Sequence, residues 1–163
     1  MESHTQLSQE LGMLLLQKSQ VLTTAESCTG GGIATAVTDI AGSSAWFDRA
    51  FITYSNQAKV DMVGVKESTL EQVGAVSEKV VIEMAQGALL HSNATISVAV
   101  SGIAGPSGGS EEKPVGTVCF AWADNQGWLK VETYCFPGDR AQVRAQTVRH
   151  ALQQLSQHLS SSS

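Results

Sequence analysis

Charge is scarce in this chain, and basic charge scarcer still. Of 163 residues, 15 are Asp or Glu and 10 are Lys or Arg, which leaves a net charge of −5 and a charged fraction of only 15%. The basic residues form no cluster and the pI is near 5.3, so the cationic stripe that neutralises duplex phosphates is missing and nucleic acid is not an expected partner. A small anion is still allowed, because a few N–H groups and one or two cations suffice to hold it. Cysteine is also sparse: Cys28, Cys119 and Cys135 make an odd set with no C-x-x-C pair. Neither a disulfide framework nor a zinc site is expected, and a reducing compartment fits best. No basic segment followed by an apolar run opens the chain, and no apolar stretch reaches the roughly 18 residues of a membrane span. Neither export nor a membrane is expected, and the expected location is the cytoplasm.

Histidine is absent where hydrolytic chemistry would want it. His4, His91, His150 and His158 all lie outside the glycine-rich segments and read as solvated residues of surface helices, which argues against a Ser-His-Asp triad. The acidic residues are scattered without ligand spacing, so no metal and no cofactor is expected.

What is present is apolar patterning. A hydrophobic fraction of 42% suits one globular domain over residues 1–163, with residues 160–163 a frayed tail. Apolar residues at 7, 11, 14 and 15 predict a helix capped by Thr5. A strand is expected over Val21–Ala25, a helix from Gly30 to Asp39, and a strand in the second half of Trp46–Tyr54. Ser55 should cap a short helix from Asn56 to Met62 that Gly64 stops, with Lys59 in its first turn pointing back to the strand end at Tyr54. Ser68-Thr-Leu-Glu71 has the spacing of a capping box, and Ser77 should cap a longer helix. Ala94–Ser101 reads as a central strand running into the glycine-rich loop Ser101–Gly109. Asp124-Asn-Gln-Gly127 reads as a hairpin turn, and Asp139 as the cap of a last helix. Strands alternating with helices and ending in a hairpin predict an α/β fold with a mixed sheet, and glycine-rich loops after two separate strands mark the expected ligand crevice.

The chain is organised around the first of those loops. In Val21-Leu-Thr-Thr-Ala-Glu-Ser-Cys-Thr-Gly-Gly-Gly-Ile33 a strand turns into a helix N-terminus, whose first N–H groups have no intrahelical partner and can face an oxyanion. A serine there, Ser27, can attack a carbonyl. The alternative is a capping turn whose glycines only permit tight packing. Without histidine, a buried neutral lysine can accept the serine proton, and Lys59 is the candidate. It can equally be a surface lysine, and Tyr54 can relay a proton or merely pack a strand end. Cys28 is a rival nucleophile, since a helix N-terminus lowers a thiol's pKa; otherwise it is a small buried thiol.

Five segments taken in order, Thr24-Ala-Glu-Ser-Cys-Thr-Gly-Gly31, Tyr54-Ser-Asn-Gln-Ala-Lys59, Gly74-Ala-Val-Ser-Glu78, Gly102-Ile-Ala-Gly-Pro106 and Lys113-Pro-Val-Gly-Thr117, resemble the signatures of the CinA carboxy-terminal domain family, whose members include the nicotinamide-nucleotide amidohydrolases. The resemblance spans nearly the whole chain. It implies a three-layer α/β/α sandwich with a mixed, mostly parallel sheet, a stand-alone form of the domain, and a homodimer. The implied reaction is hydrolysis of the carboxamide of nicotinamide mononucleotide to nicotinate mononucleotide and ammonia, in the recycling of NAD. Ser27 would attack, Lys59 would shuttle the proton and Tyr54 would assist. Main-chain N–H groups around Thr29, Gly30 and Gly31 would hold the oxyanion. Ser101, Gly102 and Gly105 would border the nucleotide, and Arg140 would engage its phosphate. Two departures stand out. Position 101 is serine where the family often has threonine, which keeps the hydroxyl. Gly32 replaces a larger apolar residue, costing about 1 kcal/mol of helix propensity and implying a looser helix start. The contrasting reading is a nucleotide-binding or partner-docking module that keeps the fold without the chemistry.

Overall fold

The computed structural model describes residues 4–161. In chain order the elements are α1 (Thr5–Gln17), β1 (Leu22–Glu26), α2 (Gly32–Thr38), β2 (Phe47–Ile52), α3 (Asn56–Val63), α4 (Glu67–Val73), α5 (Glu78–Leu90), β3 (Ile96–Gly102), β4 (Thr117–Asp124), β5 (Leu129–Cys135) and α6 (Arg140–Ser161). The five strands form one sheet in the order β2-β1-β3-β4-β5. β1 pairs in parallel with both β2 and β3, whereas β3–β4 and β4–β5 are antiparallel. Only β4 therefore runs against the rest, and the predicted mixed α/β architecture is the one observed.

Side-chain size separates the two faces of the sheet. Ile96, Val98 and Val100 of β3 and Val118, Phe120 and Trp122 of β4 pack with α1, α2 and α6. Their alternating neighbours, Ala99, Cys119, Ala121 and Ala123, face α5. The small face lets α5 lie close enough for the Ser97 hydroxyl to donate to the Ala85 carbonyl at 2.9 Å. α5 in turn seats α3 at Gly87, where a Cβ would fall 1.8 Å from the Val63 carbonyl oxygen. Glycine there costs helix propensity but fixes the position of the helix that carries Lys59.

Several local expectations hold. The Ser55 and Ser77 hydroxyls accept from Ala58 N and Val80 N, Gly64 ends α3 with φ 72°, and Asp139 Oδ1 accepts from Gln142 N at 2.9 Å. Others are corrected. Thr5 is the first residue of α1 rather than its cap. The Ser68 capping box does not form: α4 begins at Glu67, and its start is held from across the layer, with Glu83 of α5 accepting from Lys66 N (2.8 Å) and the Thr69 hydroxyl (2.7 Å). α6 includes Ser160 and Ser161 of the expected tail, and residues 162–163 lie outside the described residues. α2 begins at Gly32, not Gly30; Gly30 (φ 58°) and Gly31 (φ 102°) form the turn before it. The helix start is tight rather than loose, because a Cβ on Gly32 would lie 3.1 Å from Val148 Cγ2 of α6. The histidines are not simply solvated: His150 packs among Phe120, Tyr134 and Phe136 and meets Glu132 at 3.1 Å, and His158 stacks on Trp128.

Candidate active site

Three adjacent strands, β2, β1 and β3, run in the same direction and end on one edge of the sheet. Whatever follows each of them must therefore converge. Ser27 follows β1, and its N–H donates to the Val100 carbonyl (3.1 Å). Thr53 and Tyr54 follow β2, with Thr53 N donating to the Glu26 carbonyl (2.8 Å). Ser101 and Gly102 end β3. α3 then turns back over this edge and lowers Lys59 into it. These elements enclose a cavity of about 250 Å³ lined by Ser27, Cys28, Tyr54, Asn56, Lys59, Ala75, Val76, Ser101, Gly102, Ala104 and Arg140.

At its floor the Lys59 amine lies 3.1 Å from Ser27 Oγ, 3.0 Å from the Thr53 carbonyl and 3.4 Å from the Tyr54 carbonyl. Ser27 Oγ also approaches the Tyr54 carbonyl, at 3.3 Å. The amine donates to Ser27 Oγ and to both carbonyls, and the Ser27 hydroxyl donates to the Tyr54 carbonyl; an amine that has lost one proton would keep the two carbonyl bonds and turn its lone pair to the Ser27 hydroxyl. Lys59 is 1% exposed, and burial holds its pKa below the usual 10.5, opposed only by the neighbouring Cys28 thiol. The cause is desolvation rather than the positive end of α2, because α2's first free N–H groups are already taken: Ile33 N and Ala34 N donate to the Glu26 carboxylate at 2.8 and 3.0 Å. Ser27 is itself 8% exposed, so it stands in a recess instead of on an open turn.

The surroundings of Cys28 weigh against it as the rival nucleophile. Burial pushes its thiol up to about 12, so almost no thiolate exists at neutral pH.

Tyr54 contributes its carbonyl, not its phenol, to the floor. The ring turns outward, 60% exposed, and its hydroxyl accepts from Arg140 Nη2 at 3.1 Å, while Arg140 Nη1 donates to the Gly105 carbonyl at 2.8 Å. Arg140 thus sits at the rim on two neutral oxygens, with no carboxylate partner among the described residues. The expected set divides accordingly. Ser27, Lys59, Tyr54, Ser101, Gly102 and Arg140 come together, and Gly105 joins them through Arg140. Thr29, Gly30 and Gly31 line a neighbouring cavity of about 410 Å³ with Asp39, Arg144 and Val148. The Thr29 hydroxyl donates to Glu26 (2.6 Å) and Gly30 N to the Ser27 carbonyl (3.0 Å). Of the three main-chain N–H groups assigned to an oxyanion, only those of Thr29 and Gly31 lack an acceptor among the described residues.

Sequence reasoning missed Glu26, Arg144 and the cavity walls Ala75 and Val76, whereas Ala104 lies in the Ser101–Gly109 loop expected to border the ligand. Glu26 could have been suspected as the one acid closing a β-branched run. Arg144, one turn beyond Arg140, clasps the Cys28 and Thr29 carbonyls at 3.1 and 3.0 Å. Among the described residues no cluster of three His, Cys, Asp or Glu is placed to hold a metal ion, and no helix is long and apolar enough to cross a membrane.

Comparison with known proteins adds to this geometry. Residues 4–159 match the family model described as the CinA C-terminal domain. The chain is 59% identical over 150 residues to the nicotinamide-nucleotide amidohydrolase PncC of Escherichia coli K12, covering 92% of this chain and 91% of that protein. It is 52% identical over 157 residues to the protein of the same name from Pseudomonas putida, covering 96% and 98%. Among solved structures, the competence/damage inducible protein CihA of Agrobacterium tumefaciens superposes with a TM-score of 0.92 at 46% identity, over 95% of this chain and 94% of that one.

Proposed function

Because the chain belongs to the CinA C-terminal domain family, we propose that it is a nicotinamide-nucleotide amidohydrolase, which converts nicotinamide mononucleotide and water to nicotinate mononucleotide and ammonia. The observation that carries the reading is the buried contact of Lys59 Nζ with Ser27 Oγ at 3.1 Å. Relatives bearing that enzyme name, at 59% and 52% identity, support it.

In this reading the Ser27 oxygen attacks the carboxamide carbon as its proton passes to the neutral Lys59 amine. The tetrahedral intermediate collapses by breaking the C–N bond, and Lys59 returns the proton to the nitrogen, which leaves as ammonia. A water then gives its proton to Lys59 and its oxygen to the acyl carbon. Lys59 reprotonates Ser27, and the acid product leaves. Oxyanion donation by Thr29, Gly30 and Gly31 is not kept in this reading, because these residues line the neighbouring cavity and not that of Ser27. Ala75, Val76 and Ala104 supply apolar wall for the pyridine ring, Ser101 and Gly102 border it, and the rim cation Arg140 meets the phosphate. Tyr54 assists through its floor carbonyl and by holding Arg140. No metal or cofactor takes part. The working unit in this reading is a homodimer of one domain, acting in the cytoplasm on a small molecule and not on nucleic acid or membrane; sedimentation velocity reads the dimer.

The test is ammonia and nicotinate mononucleotide released from nicotinamide mononucleotide by the purified protein, with Ser27→Ala as control. Release that requires Ser27 is expected. Binding of the nucleotide without release would replace this reading by that of a non-catalytic nucleotide-binding module.

A further inference from the structure

Glu26 is fully buried, and no cation among the described residues pairs with it. Leaving a carboxylate in that position is costly unless its lone pairs are filled. They are: Oε1 accepts from the Thr29 hydroxyl (2.6 Å) and Ile33 N (2.8 Å), and Oε2 from Ala34 N (3.0 Å) and the Thr24 hydroxyl (3.3 Å). Its main chain is engaged as well, since the Glu26 carbonyl accepts from Thr53 N (2.8 Å) and the Thr53 hydroxyl (3.3 Å). The Thr53 carbonyl is in turn an acceptor for Lys59 Nζ at 3.0 Å. One residue therefore ties together the strand before Ser27, the turn after it, the start of α2, and the segment that receives Lys59.

We propose that Glu26 is a positioning residue for the Ser27–Lys59 pair: its buried carboxylate anchors the turn on both sides of Ser27 and holds the serine hydroxyl at attacking distance from its base. A carboxylate is required, not merely a side chain of that size. A carboxamide has one acceptor oxygen and one NH2 group, so in either orientation a main-chain N–H, that of Ile33 or of Ala34, would face another donor. Filling the positive end of α2 with an internal anion also keeps a substrate anion from being drawn there instead of into the Ser27 cavity.

The turnover readout of this inference rests on the amidohydrolase reading, but a second readout does not. Diisopropyl fluorophosphate labels an activated serine by forming an O–P bond and releasing fluoride, and needs no nicotinamide nucleotide. In Glu26→Gln, assayed at a temperature where circular dichroism finds it folded, labelling of Ser27 is expected to slow by about 100-fold, the scale of a displacement of about 1 Å at a reacting centre. With nicotinamide mononucleotide, kcat is expected to fall by a similar factor with KM within about threefold, because geometry is lost and binding is not. Thr29→Val, which removes one donor to the carboxylate, should move both readouts the same way by about tenfold or less. It decides the matter if Glu26→Gln does not fold. Folded variants that label at the wild-type rate would overturn the inference and leave Glu26 as a support of stability alone. If wild-type Ser27 labels quickly but releases no ammonia, the substrate reading fails and the labelling rates still judge Glu26. If wild-type protein releases ammonia without labelling, the kcat of the variants judges Glu26; if it does neither, both fail.

Discussion

The cavity holds two polar pairs with opposite surroundings. At the floor, Lys59 and Ser27 are 1% and 8% exposed and meet at 3.1 Å. At the rim, Tyr54 is 60% exposed and its hydroxyl meets Arg140 at 3.1 Å. The distances match; the physics does not. Burial strips water from Lys59 and lowers its pKa, the direction that a role as base requires. Solvent screens the rim contact, which contributes about 1 kcal/mol or less. The proposed function places chemistry at the floor and binding at the rim, although one segment, Tyr54–Lys59, supplies a member of each pair.

Breaking the floor pair should have the largest effect. Ser27→Ala is expected to lower kcat by at least about 10³-fold with the fold intact, read by ammonia release and circular dichroism. Breaking the rim pair should act on binding: Arg140→Met should raise KM for nicotinamide mononucleotide about tenfold and change kcat by about threefold or less. Tyr54→Phe removes only the hydroxyl that Arg140 holds and keeps the floor carbonyl, so steady-state kinetics should find about threefold or less in either constant. A fall in kcat for Tyr54→Phe as large as that for Ser27→Ala would erase the distinction between floor and rim.

Stability sharpens the comparison further. Between the lowered pKa of folded Lys59 and its ordinary 10.5, the unfolded chain binds a proton that the folded chain has released, so stability rises with pH across that window and carries its full penalty below it. Lys59→Met lacks the group. Urea unfolding should therefore find the stability of Lys59→Met, relative to wild type, falling as pH is raised from neutral toward 10.5. A difference independent of pH would mean that Lys59 is not destabilised as an ammonium.

The convergence of Ser27 and Ser101 was legible in the sequence because each closes an apolar run and parallel strands bring such positions to one edge, and Lys59 was legible as a first-turn residue of the helix that Ser55 caps, pointing back to the end of β2. The Ser55 and Ser77 caps were legible for a similar reason, since a cap and its N–H partner are three residues apart. Glu26 could be read as the end of a strand but not as an internal anion, because the α2 N–H groups were expected to face solvent or substrate. Ser68 misled because the real partner of the α4 start, Glu83, comes from another helix. The outward turn of Tyr54 depends on Arg140, 86 residues away, a contact that no local pattern encodes. The split between small and large faces of β3 and β4, which sets how deeply α5 and thus α3 can sit, emerges only once the register is known.

The role proposed for Lys59 is that of a neutral base on Ser27 and not of a fixed cation. Its most direct test is kcat of Lys59→Arg beside Lys59→Met with nicotinamide mononucleotide, since arginine keeps the charge but cannot release its proton. Both variants are expected to lose at least about 10³-fold in kcat. Substantial turnover by Lys59→Arg, with Lys59→Met changed mainly in KM, would contradict the account and remove Lys59 from the proton-transfer step.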